Sequence, residues 1–272
     1  MELFVTSLSF SVAAKTIKVY LSGVQAFARI AGFGGAISAM PRLPSLLQGI
    51  RRDQGNRHQR PRRSPVSISQ LRQLVRWIRR VHTEIDSDML VSAVTLAFFG
   101  LLRVSEYTSP STTQFDHSLH LAVSDVTINA YRRLAYIRIK ASKTDPFRDS
   151  AVVRVGASRS EICPVSALIT YLLRSRRRGG GPLFLFQDGR HLTRVHVAAV
   201  VQGALGRDVN LNTHSFRIGG ASALATSGVP AYQIQLLGRW RSDAFLAYIR
   251  LSDDYVQGNS VRMEGSSRWV RR

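Results

Sequence analysis

A chain of 272 residues with 38 Lys+Arg against 17 Asp+Glu carries a formal charge of +21 and a pI near 11.4. That imbalance points to a polyanionic partner, nucleic acid or an acidic membrane surface. Only Lys15, Lys18, Lys140 and Lys143 are lysine, and a charge made almost wholly of guanidinium, which forks onto phosphates, favours nucleic acid. The single cysteine, Cys163, excludes internal disulfides and a cysteine-based zinc site and suits a reducing compartment. The longest apolar run, Met89 to Leu102, falls short of the roughly 20 residues of a membrane span. The start Met-Glu, with no basic stretch ahead of apolar residues, argues against a signal peptide. A membrane is therefore not an expected partner, and a basic ribosome-type or chromatin protein without chemistry stands as the plain alternative.

Along the chain, Ile17, Tyr20, Leu21, Val24, Phe27, Ala28 and Ile30 recur at helical spacing. Gly32, Gly34 and Gly35 interrupt them, and Pro41 and Pro44 frame a second short helix from about Ser45 to Arg51. These residues, 1–50, form the expected N-terminal helical domain. The stretch 51–63 is basic and without apolar periodicity, and it reads as a linker. Its arginines, Arg51, Arg52, Arg57, Arg60, Arg62 and Arg63, are DNA-contact candidates; a solvated loop and a nuclear import signal are the other readings.

From 64 to 272 the pattern is that of one further domain. Ser67 or Ser69 caps a helix whose stripe is Leu71, Leu74, Val75, Ile78 and Val81, and Met89 to Leu102 forms a core helix. Leu119 to Ile128, Leu134 to Lys140 and Ala151 to Val155 alternate as strands, with Lys143 at the turn between the last two. Helices are then expected at Pro164 to Arg176, His191 to Leu205, Thr213 to Ser227, Pro230 to Leu237 and Ser242 to Leu251. Gly228 and Gly238 stand at helix C-terminal positions, and Pro230 suits a first helical turn. The fold class is α+β, mainly helical, with a small antiparallel sheet.

Chemistry-bearing residues punctuate this second domain. With Thr213 as the N-cap, His214 and Arg217 share the N-terminal face of a helix, where a phosphate would meet backbone N–H groups, an imidazole and a guanidinium together. Arg103 ends a very apolar helix, where a guanidinium is costly without an anion or the nearby Glu106. Trp240 offers an indole donor and Tyr248 a phenol.

Taken in order, Gly-Leu-Leu-Arg-x-x-Glu (100–106), Ser-Lys-Thr (142–144), His-x-x-Arg (214–217), Gly-Arg-Trp (238–240) and Tyr-Ile-Arg (248–250) resemble the tyrosine recombinase, or phage integrase, family. The flavour is that of Crypton and DIRS-type mobile-element recombinases, and the resemblance spans roughly residues 65 to 255. It implies a recombinase catalytic domain with a small antiparallel sheet, preceded here by a short all-α core-binding module, either complete or truncated. It also implies metal- and cofactor-free cleavage and rejoining of double-stranded DNA through a 3′-phosphotyrosyl bond, by a homodimer or homotetramer, in the nucleus of a eukaryote or otherwise in the cytoplasm. By resemblance, Arg103 and Arg217 clamp the non-bridging oxygens, His214 and Trp240 donate hydrogen bonds, and His214 takes the proton of the nucleophile Tyr248. Lys143 protonates the leaving 5′-oxygen, Glu106 braces the site, and Arg239 contacts DNA.

The residues leave other readings open. Arg103 serves equally as a structural partner of Glu106, Lys143 has Lys140 as a rival, Trp240 reads also as core, and Tyr248 has Tyr255 as a weaker rival. His82, His117, His120, His191 and His196 read as surface or core histidines, and His117 with His120 lacks a third metal ligand in the sequence. The step from Trp240 to Tyr248 is one residue shorter than the resemblance implies, so either the nucleophile is rotated along its helix or the turn at Arg241–Ser242 absorbs the difference. A non-cutting DNA binder derived from such an enzyme and a type IB topoisomerase are the alternative functions.

Overall fold

The computed structural model describes residues 1–33, 40–55, 63–141, 150–206, 210–251 and 253–266. The chain divides into two compact units, Met1–Arg62 and Arg63–Arg272.

The first unit contains helices α1 (Glu2–Ser9), α2 (Ala14–Ile30) and α3 (Leu43–Gln54), with α1 absent from the sequence reading. Val5, Ala14, Ile17, Leu21, Leu43 and Ile50 form its core. Gln54 closes it: the buried amide donates to the Ser9 and Val12 carbonyls at 2.8 and 2.9 Å, and its Oε1 accepts the Ala14 N–H at 2.9 Å. One side chain thereby satisfies the start of α2 and ties it to the end of α3. The expected α2 stripe is only partly buried, for Tyr20, Phe27 and Ile30 are exposed, because three short helices cannot cover a wide apolar face. Arg51 and Arg52 lie in the last turn of α3 rather than in a linker; Arg57, Arg60 and Arg62 lie outside the described residues.

The second unit is built around α5 (Glu84–Phe99), which is apolar on every face because α4 (Ile68–Val81), α7 (Pro164–Ser175) and α9 (Ser215–Thr226) all pack on it. Ser67 caps α4 through a reciprocal bond pair with Gln70, and Leu71, Leu74, Val75 and Ile78 are buried. Val81, placed in that stripe by periodicity, is instead exposed at the helix end. The core helix stops at Phe99, short of the expected Leu102, and a four-residue helix α6 (Val104–Tyr107) follows Arg103.

Strands β1 (Val126–Asn129), β2 (Leu134–Ile139) and β3 (Ala151–Gly156) form one antiparallel sheet in the order β1-β2-β3, with Val126 opposite Ile137 and Leu134 opposite Gly156. Alternate residues Ala135, Ile137, Ile139, Val153 and Val155 face the core. The first strand starts later than expected because a 3-10 turn, Val123–Asp125, intervenes. Its Asp125 accepts the Ala122 N–H at 2.8 Å and pairs with Arg138 and Lys140 at 3.0 and 2.6 Å. Lys140, the rival to Lys143, is thus bound to a buried carboxylate and to the His117 carbonyl at 2.6 Å. Lys143 itself lies outside the described residues.

Helices α8 (Arg194–Leu205) and α10 (Ala231–Gly238) and a 3-10 turn, Asp243–Tyr248, complete the unit before α11 (Asp253–Ser266). The 3-10 turn stands where a longer helix was expected. Helix α8 starts at Arg194, capped by Thr193, because the His191 N–H is held by the Thr112 carbonyl at 2.8 Å. Among the described residues, no helix is long and apolar enough to cross a membrane and no group of three or more His, Cys, Asp or Glu is placed to hold a metal ion.

Candidate active site

Two glycines decide how closely the key helix approaches the core. A Cβ on Gly219 would lie 2.1 Å from the Val66 carbonyl oxygen, and one on Gly220 would lie 2.3 Å from that of Phe98. Only hydrogen fits, so α9 settles directly against the end of α5 and carries its first turn to the Leu101–Glu106 segment. The start of that turn differs from expectation. His214, not Thr213, is the N-cap residue; Thr213 is buried, and the Asn212 side chain accepts the His214 N–H at 2.9 Å.

Around this contact the separated motifs converge. Arg217 is fully buried, donating through Nη1 to the Leu101 carbonyl at 2.6 Å and through Nη2 to the Gly238 carbonyl at 2.5 Å. The Trp240 ring covers it, with the guanidinium carbon 4.2 Å from the ring centroid. Trp240 can lie there because its neighbour is Gly238, where a Cβ would overlap the indole at 1.6 Å. The left-handed C-terminal residue of α10 is therefore Arg239, at φ 57°, and not Gly238 as the sequence suggested.

Glu106, its side chain wholly enclosed, binds two arginines at once. Oε1 accepts Arg103 Nη1 at 3.0 Å and Arg239 Nη1 at 3.3 Å, while Oε2 accepts the Arg103 N–H and Arg239 Nη2, each at 2.9 Å. Burial pushes this carboxyl up, but Arg239, the Arg103 N–H and the Arg103 guanidinium outweigh it and hold the group below the usual glutamate range. Burial foremost, with the Arg103 and Arg239 charges added, lowers the Arg217 guanidinium to about 9, against the opposing pull of Glu106 and Tyr248.

Tyr248, half-buried, lies with its ring centroid 5.1 Å from that of His214 and 5.3 Å from that of Trp240. Between Trp240 and Tyr248 the chain runs through a bend at Arg241–Ser242 and then the 3-10 turn. Ser222 on α9 fastens this segment, accepting the Arg250 N–H at 2.8 Å and donating to the Tyr248 carbonyl at 3.3 Å. Leu101, Ala221, Ile234 and Phe245 form a small core beneath it. His214 is lowered to about 4 by burial first and then by Arg217, Arg63, Arg103 and Arg194. Its imidazole is thus neutral near pH 7 and free to accept a proton.

The structure brings together Arg103, Glu106, His214, Arg217, Arg239, Trp240 and Tyr248; Arg63 and Arg194 act on His214 electrostatically. Sequence reasoning missed Arg194, Ser222, Asn212 and the structural part played by Leu101. The glycine pair at 219–220 was the one available signal for close helix approach.

No family model matches the sequence, and no curated protein matches it significantly. Solved structures do match in shape. The integrase of the Tn1549 transposon, in complex with transposon right end DNA, gives a TM-score of 0.61 at 14% identity, covering 97% of this chain and 84% of that one. The XerA recombinase gives 0.54 at 15% identity, covering 89% and 81%. A lambda integrase dimer bound to a COC′ core site gives 0.50 at 16% identity, covering 88% and 65%. Mainly helical, with one three-stranded antiparallel sheet and this arrangement of helices, the chain has the tyrosine recombinase fold.

Proposed function

We propose that this protein is a site-specific DNA recombinase of the integrase type, which cleaves and rejoins DNA through Tyr248. The observation that carries the reading is the packing of a phenol, Tyr248, on a neutral imidazole, His214, beside three guanidiniums. In the proposed step the Tyr248 oxygen attacks the scissile phosphorus and its proton passes to His214 Nε2 or Nδ1. The bond from phosphorus to the 5′-oxygen breaks, that oxygen leaves with a proton assigned by resemblance to Lys143, and a 3′-phosphotyrosyl bond remains. Rejoining reverses these steps without external energy, because one ester is exchanged for another. The arginines stabilise the charge gained by the equatorial oxygens. The DNA complexes among the similar structures support DNA as the partner, and the lambda integrase dimer supports action by paired protomers.

The test uses duplexes that the protein itself selects from a random-sequence pool, nicked so that the cleaved end diffuses away. Wild type should leave a denaturation-resistant protein–DNA adduct, and Tyr248→Phe should bind equally but leave none. Binding without any wild-type adduct would make the protein a non-cutting DNA binder. Relaxation of supercoils by monomers at any sequence would make it a type IB topoisomerase.

A further inference from the structure

The three guanidiniums at the Leu101–Glu106 turn differ in access. Arg217 lies fully buried under the Trp240 ring, whereas the Arg103 and Arg239 side chains keep 17% and 18% of their surface exposed. One carboxylate orients both exposed ones, and Arg239 meets it in a two-bond fork. Resting on the phosphotyrosyl reading above, we propose that Arg239 is a catalytic residue that binds a non-bridging oxygen of the scissile phosphate beside Arg103. Trp240 is then a positioning residue that holds Arg217.

Charge, backbone and hydrogen bonding agree. Arg103, Arg217 and Arg239 against Glu106 leave a formal surplus of two positive charges, which matches a dianionic pentacoordinate phosphate. Arg239 occupies a left-handed backbone position at φ 57°, where an L side chain costs about 1–2 kcal/mol relative to glycine. Leu101, whose carbonyl receives Arg217 at 2.6 Å and Arg239 at 3.5 Å, is also left-handed at φ 49°. Two strained residues facing each other across a cationic cluster mark a site that the rest of the fold holds in place. The Nε–H groups of Arg239 and Arg217 are moreover both buried with no partner among the described residues, donor capacity that the folded chain alone does not use.

The experiment compares wild type with Arg239→Gly, a change that relaxes the backbone while removing the guanidinium. On a selected nicked duplex the variant should form adduct about 100-fold more slowly, the scale of one lost preorganised donor. On the same duplex with a neutral methylphosphonate at the mapped scissile link, it should return to within about 5-fold of wild type, since no anionic oxygen then needs the missing cation. An equal loss on both substrates would show a merely structural role and overturn the proposal. A second measurement stands even where wild type cuts nothing: orthovanadate binding to the DNA-free protein should weaken about tenfold or more in Arg239→Gly, the loss of one charge-assisted contact. Unchanged vanadate affinity would refute the assignment of Arg239, whereas a missing wild-type adduct alone would refute only the recombinase reading.

Discussion

The His214 imidazole meets the Tyr248 ring edge to face, with centroids 5.1 Å apart and planes inclined at 63°. Burial and four arginines, Arg217, Arg63, Arg103 and Arg194, keep that imidazole unprotonated down to about pH 4. A bound phosphate offsets those same cations, so the His214 pKa should rise by about one unit or more when DNA binds. NMR titration of the imidazole in free and DNA-bound protein reads this directly, and an unmoved value would place the scissile phosphate elsewhere.

The same group links folding to pH. In the unfolded chain His214 titrates near 6.5, so between that value and about 4 the unfolded state binds the proton more tightly than the native state does. Its contribution is present above pH 6.5 and is lost as pH falls toward 4. Urea unfolding of wild type and His214→Gln at pH 7.0, about 5.5 and about 4.5 should show the variant losing less stability across that window. Parallel losses in both proteins would refute the linkage.

Glu106→Gln should destabilise the second unit by about 3 kcal/mol, because it leaves two partly buried guanidiniums facing a neutral amide. The urea midpoint checks this. A change below about 0.5 kcal/mol would mean that solvent, not Glu106, balances Arg103 and Arg239.

Gly220→Ala should disrupt both the fold and the site, since its Cβ would lie 2.3 Å from backbone oxygen at Phe98, which cannot yield without moving α5 from α9. A loss of about 2 kcal/mol or more is expected, together with the loss of the depressed His214 value. Gly23→Ala, in helix α2 with nothing within 4 Å of the new Cβ, should instead stabilise its unit by about 0.5–1 kcal/mol. Equal effects at the two glycines in circular dichroism melts would dismiss the close-approach argument.

Ser222→Ala removes the hydroxyl that joins α9 to the Tyr248 carbonyl and the Arg250 N–H. The cost in stability should be about 1 kcal/mol, and the phenol should become more accessible. Tyr248 nitration by tetranitromethane, followed by peptide mass, should quicken in the variant; an unchanged rate would mean that the small core around Phe245 fixes the segment without the serine.

The sequence by itself determined the repeating, local features: the capped α4 with its Leu71, Leu74, Val75 and Ile78 stripe, the alternation of β2 and β3, and the all-apolar α5 that must lie at the centre. It also supplied the chemical identity of the cluster residues, because guanidinium, imidazole and phenol are recognisable by type and order along the chain. Only the tertiary structure decided which of them meet, and how. That Arg217 is enclosed under Trp240 while Arg239 reaches Glu106 depends on Leu101 and Arg239 both turning left-handed, and neither leucine nor arginine announces such a conformation by its type. Val81, read as buried, is exposed, and Asn212 rather than Thr213 receives the first N–H of the key turn, because burial and capping at helix ends depend on neighbours distant in sequence. Short-range periodicity is set by backbone geometry within a few residues, whereas the approach of α9 to α5 is a steric agreement between segments about 120 residues apart in the chain.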